Sequence, residues 1–180
     1  MNFINNLDNK IYELLIKMQN MATTEIMIII SFFASTVTLI ALSIALLVIL
    51  KNKKYSKFIA LNLILSFLTN RILKFIIRRP RPPRIQIVEE NGYSFPSGHA
   101  MISFAFYGFL IYLLYTNIKN KKIKYPLIVF LSLLILFIGI SRIYLGVHYV
   151  TDVIGGFIFG LIYLILFIKY VYKNDKIKIK

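Results

Sequence analysis

The chain holds only two histidines, His99 and His148, and each stands among residue types suited to phosphate chemistry. His148 and Asp152 are four residues apart. If a helix begins by His148, one turn separates them, and the carboxylate can reach the imidazole, fix its tautomer and stabilise positive charge on it. An interfacial salt bridge that anchors the helix would use the same pair. Arg142 precedes His148 by six residues, and a buried arginine at the end of an apolar segment is costly enough to need a partner. Pro96-Ser97-Gly98-His99 stands directly before an apolar run. Ser97 can cap the helix, and the free backbone N–H groups with the helix dipole make an anion site. His99 beside such a site would titrate near neutral pH, which suits a general acid, although a capped helix start explains the block as well. Lys74 precedes Arg81 by seven residues, two helical turns, with Arg78, Arg79 and Arg84 crowded alongside. Pro80, Pro82 and Pro83 end that helix. Arginine offers a planar fork of donors that fits phosphate oxygens, while snorkelling or head-group binding are the plainer uses of such cations.

Cysteine is absent, which excludes disulfides, thiolate metal sites and a cysteine nucleophile. Glu89 and Glu90 are adjacent in a loop and lack metal-ligand spacing, so neither a metal nor any other cofactor is expected. Lys74, Arg81 and Arg142 could instead supply the charge that a divalent ion brings to a transferring phosphoryl group.

These residues need a scaffold, and with 58% of 180 residues hydrophobic it cannot be a soluble domain, whose interior would be too small. Apolar runs approach the length that crosses a bilayer. The expected fold is an all-α integral membrane bundle with spans near 24–50, 58–78, 98–116, 125–143 and 151–172. Residues 1–22 read as an amphipathic surface helix, with Ile4, Leu7, Ile11, Leu14, Leu15 and Met18 on one side and Asp8, Lys10, Glu13 and Lys17 on the other. A basic cytoplasmic tail is expected at 173–180. The net charge of +15 would suggest a nucleic-acid partner in a soluble chain, but here no basic face with interleaved aromatics lies outside the membrane. The lysines cluster after the first and third spans and at the C-terminus, which puts those ends in the cytoplasm and the chemistry-bearing loops outside. Gly156 and Gly160 form a small-xxx-small pair, read as bundle packing with a homodimer contact as the alternative. Asn62, Thr69, Asn70 and Arg71 lie inside the second span, where polar groups cannot face lipid cheaply, and Arg71 has two readings, an extension of the positive site or a structural hydrogen bond inside the bundle.

Taken together, Lys74-x6-Arg81-Pro82, Pro96-Ser97-Gly98-His99 and Ser141-Arg142-x5-His148-x3-Asp152 resemble the complete three-part signature of the type 2 phosphatidic acid phosphatase family. The resemblance covers Lys74 to Asp152 and implies the helical core shared with haloperoxidases. It implies that His148 attacks phosphorus and becomes a phosphohistidine, that Asp152 orients it, and that His99 protonates the leaving oxygen. Lys74, Arg81, Ser97, Gly98 and Arg142 would hold the phosphoryl oxygens. The implied partner is a lipid phosphate in a bacterial cell membrane. The sequence is similar to small bacterial members acting on undecaprenyl diphosphate or phosphatidylglycerophosphate, the first fitting an outward-facing site. Membrane members commonly have six spans, which puts the surface helix where a first span would stand.

Overall fold

The chain's computed structural model describes residues 2–50 and 52–175, with side chains from 8 to 171 except 51. It is all-helical: α1 Asn2–Ile16, α2 Met21–Phe32, α3 Thr36–Ile49, α4 Lys53–Ile77, α5 Gly98–Asn117, α6 Lys121–Tyr144 and α7 Val150–Asp175. The basic tail expected at 173–180 runs past Asp175 beyond the described residues, as do the side chains of Ile4 and Leu7.

The helix α5 is apolar all round and rich in small residues, and a helix of that kind belongs in a core. It packs against α4, α6 and α7, burying Ala100, Met101, Ala105, Phe106, Tyr107 and Phe109. The glycine pair of α7 serves this contact. A β-carbon on Gly156 would lie 2.9 Å from that of Ala100, and one on Gly160 would lie 2.9 Å from the Met101 carbonyl oxygen. Gly156 and Gly160 therefore face α5 inside the bundle, the packing role expected of them.

The first apolar run, expected as one span at 24–50, is broken. Ser35 is extended and caps α3, accepting from the Thr38 N–H at 3.2 Å, and α2 and α3 meet at 50°. Tyr107 donates its hydroxyl at 2.6 Å to the Phe33 carbonyl, an acceptor that the break releases from the helical ladder. The pair still crosses the bundle. At one end Thr23 and Thr24 bond the Tyr144 hydroxyl at the close of α6, at 2.8 and 2.9 Å; at the other, Ser56 at the start of α4 donates to the Leu46 carbonyl at 3.2 Å. The helices α4, α5, α6 and α7 are each long and apolar enough to cross a membrane, and the bent pair taken as one span makes a fifth candidate.

The surface helix differs from expectation in length and in facing. It ends at Ile16, and Asn20 starts α2 with a capping box to Thr23. Its inward face is Asp8, Ile11, Tyr12 and Leu15, of which the last three pack on Ala100, Ile143, Val150 and Val153. Leu14 and Met18, expected on the apolar face, are exposed, whereas Asp8, expected among the polar residues opposite, is buried. The reason is tertiary: Asp8 meets partners from α7 and from the chain after α4, and an ion pair outweighs the helix's own periodicity.

Candidate active site

All the chemistry-bearing residues gather at one end of the bundle, where α4 and α6 finish and α5 and α7 begin. The helix α4 closes at Arg78, which adopts the left-handed conformation at φ 52° and returns its N–H to the Lys74 carbonyl at 3.0 Å. The prolines behind it lead the chain across the mouth of the bundle. The α6–α7 connection turns at Gly146, with φ 76°, where a β-carbon would come within 2.4 Å of the Ile85 carbonyl oxygen. Only glycine fits that approach, and the turn it allows delivers His148 to the site.

His148 is 2% exposed, and its Nδ1 lies 3.4 Å from Asp152 Oδ2 and 3.2 Å from Ser94 Oγ. Asp152 is held from every side. Its Oδ2 accepts the Tyr149 N–H at 2.9 Å and the Ser94 hydroxyl, and its Oδ1 accepts Arg79 at 2.6 Å. A carboxylate so held places the imidazole proton on Nδ1 and leaves the Nε2 lone pair for the cavity that His148 lines. Burial pushes His148 down to about 4, against the opposing pull of Asp152, so the ring is neutral at pH 7. A neutral imidazole with an open nitrogen is a nucleophile.

The cavity, about 430 Å³, is lined by Lys74, Arg81, Gly98, His99 and His148 among others. Gly98 opens α5, so its backbone N–H and that of His99 are unpaired helix-end donors, and a β-carbon on Gly98 would press on Asn70 Oδ1 at 3.2 Å. Arg81 staples the rim, donating to the carbonyls of Gly92, Asn91 and Val147 at 3.1, 3.0 and 2.9 Å. Burial lowers its affinity for its proton, with Glu90 opposing. Lys74 donates to the Tyr93 carbonyl.

Three of the expected residues stand behind the cavity wall. Asp152 backs His148. Arg142, 2% exposed, donates to Glu90 and to Ser31 of α2, and its Nε has no partner among the described residues. Ser97 donates its N–H to the Asp152 carbonyl at 3.0 Å and accepts the Ala100 N–H on its hydroxyl oxygen at 3.5 Å. Its backbone donor is therefore taken by Asp152.

Four participants were not assigned from sequence. Glu90 accepts from Arg142, lies 3.5 Å from Arg81 and 4.0 Å from His99 Nδ1, so it is the anion these groups now face. An acidic pair, Glu89 and Glu90, in a strongly cationic loop was the available signal for it. Ser94 carries no such signal, since its partners lie 54 and 58 residues away. Arg79 links Asp152 to Asp8, 3.4 Å away, and Asp8 also accepts the N–H and hydroxyl of Thr151 at 3.1 and 3.0 Å. The N-terminal helix thus buttresses the carboxylate behind His148. Asp8→Ala should cost about 3 kcal/mol by leaving Arg79 half-paired, read as a lower unfolding temperature in detergent; an unchanged temperature would contradict the buttress.

The PAP2 superfamily profile matches residues 37–176, which takes in His148, Asp152, His99, Arg142 and the cations of the cavity wall. The chain belongs to the PAP2 superfamily. Among its PAP2 relatives, phosphatidylglycerophosphatase B of Bacillus subtilis is 42% identical over 99 residues, 53% of this chain and 47% of that protein. Undecaprenyl-diphosphatase BcrC of the same organism is 27% identical over 157 residues, 84% of this chain and 76% of that one. The chain thus spans about half the length of the first relative. Its fold matches the crystal structure of a transmembrane PAP2-type phosphatidylglycerolphosphate phosphatase from Bacillus subtilis with a TM-score of 0.88 at 28% identity, covering 99% of this chain and 90% of that one. These similarities bear out the helical membrane fold and the family read from the three motifs.

Proposed function

We propose that this PAP2 chain is a lipid phosphatase working through a phosphohistidine on His148. The observation that carries the proposal is a neutral His148, backed by the ion-paired Asp152, in the cavity that the α5 N-terminus opens onto. In the first step Nε2 forms a bond to phosphorus, the bond to the lipid oxygen breaks, and His99 protonates that oxygen. Asp152 stabilises the charge that the ring gains. In the second step water attacks the phosphohistidine, His99 takes its proton, and inorganic phosphate leaves. Lys74, Arg81, Arg142 and the Gly98 N–H hold the phosphoryl oxygens, with Glu90 displaced by them. No metal is required in this scheme, since the cations supply the neutralising charge.

A lipid is favoured because a second cavity of about 250 Å³, lined by Leu39, Ile40, Leu63, Ile64 and Leu68, shares Ala34, Thr36, Phe67 and Ile102 with the first. An apolar tail in it would leave the head group beside His148. We place the site on the outer face of a bacterial membrane. Lys53, Lys54 and Lys57 start α4 and Lys119 to Lys124 join α5 to α6, all at the opposite end, and lysine-rich ends stay in the cytoplasm. An outward site suits undecaprenyl diphosphate, while phosphatidylglycerophosphate is the second reading, supported by the 42% relative and by the structural match.

The test is phosphate release by the purified protein in detergent with a chelator, on undecaprenyl diphosphate, phosphatidylglycerophosphate and phosphatidic acid. Release from at least one is expected. Silence on all three would favour a membrane protein that binds anionic lipids without chemistry, and activity restored only by Mg²⁺ would overturn the metal-free scheme.

A further inference from the structure

One charged group in the cavity wall has no part in the mechanism above. Arg71 lies on α4, six residues before Ile77, which puts it roughly 9 Å inside the end of the helix. A cation at that depth is costly and marks a functional position unless something neutralises it. None of the described carboxylates pairs with Arg71; its recorded neighbour is the Phe67 ring, 5.2 Å from the guanidinium carbon.

Its place along α4 is informative. Leu63, Ile64, Phe67 and Leu68 line the apolar cavity, and Phe67, Asn70, Arg71 and Lys74 line the catalytic one. Phe67 belongs to both and precedes Arg71 by one turn; Lys74 follows by three residues. From the apolar cavity towards His148, α4 thus presents an aromatic ring, then Arg71, then Lys74. With a tail in the groove and the reacting phosphorus at His148, Arg71 meets the part of the head group nearest the tail.

We propose that Arg71 binds the lipid-proximal phosphate of a diphosphate head group and so sets a preference for lipid diphosphates over monophosphates. The inference rests on the lipid-phosphatase reading. In such a substrate the bond from the terminal phosphorus to the bridging oxygen breaks as the bond to His148 forms, and the bridging oxygen leaves on the lipid phosphate. Arg71 would hold two oxygens of that leaving group with its planar fork and stabilise the charge that develops there. A monophosphate lipid places an ester oxygen and uncharged carbons at the same point and leaves Arg71 without an anion.

The experiment is calorimetric titration of detergent-solubilised wild type, Arg71→Gln and Arg71→Lys with methylenediphosphonate and with methylphosphonate, neither of which turns over. Arg71→Gln should weaken methylenediphosphonate by about tenfold, the worth of one charge-assisted contact, and methylphosphonate less than about twofold. Intact methylphosphonate binding also reports an intact site. Arg71→Lys keeps a charge in the wall and should show the same selective loss at smaller size. Equal weakening of both probes in the two variants, or of neither, overturns the proposal. Failure of the wider reading looks different, because wild type would then release phosphate from no lipid whatever the titrations give.

Discussion

His148→Ala is expected to reduce kcat on the preferred lipid by at least about 10⁴-fold, the scale seen when a nucleophile that acts as a unit with its partner is removed. The variant deletes the one neutral, buried imidazole whose outer nitrogen faces the cavity, and nothing adjacent replaces it. His99 is committed to the other side of the cavity beside Glu90, and Ser94 is spent on Asp152. Lipid binding should survive within a few-fold, since Lys74, Arg81 and the α5 N-terminus are untouched. Residual activity near the wild-type rate would remove His148 from the nucleophile role. In the wild type, kcat/KM should fall as pH drops through about 4, where His148 takes up a proton and loses its lone pair. Burial sets the direction: the folded site disfavours the charged ring, so the neutral, reactive form persists below the pH at which an unfolded histidine would already be protonated.

Asp152→Asn should be nearly as severe, with kcat down by about 10³- to 10⁴-fold and KM little changed. The carboxylate does three things at once: it accepts from Ser94 and the Tyr149 N–H, it fixes the Nδ1 proton of His148, and it neutralises Arg79. An amide presents an N–H₂ to one of these partners, leaves the Arg79 charge short of an anion and gives the developing phosphohistidine no counter-charge. Because Asp152 stands behind His148 and does not line the cavity, ground-state binding is spared. Steady-state kinetics on one lipid would show this split, and a variant that raised KM while keeping kcat would assign Asp152 to binding instead.

Local features of the site were legible in the sequence. The spacing of His148 and Asp152 is one helical turn, the Pro96-Ser97-Gly98-His99 word announces its own cap, and prolines after Lys74 end their helix where expected. Apolar runs likewise marked the candidate crossings, because lipid imposes length and hydropathy on each span separately. Features that depend on meeting a distant residue were not legible. Asp8 and Thr151 are 143 residues apart, so nothing in the N-terminal helix told that its acid would turn inward. The break at Ser35 hides in an unbroken apolar run, since a single serine in a span can equally bond back to its own helix. Gly156 and Gly160 signalled close approach and left the partner open; α5 fills that place.

The most direct test of the central claim is rapid acid-free quenching of the enzyme on lipid labelled in its reacting phosphate, followed by peptide mapping. The account predicts protein-bound phosphate that is stable to base, labile to acid, located on His148 and absent from His148→Ala. Turnover at the wild-type rate with no label on His148, or with label on another residue, would contradict it.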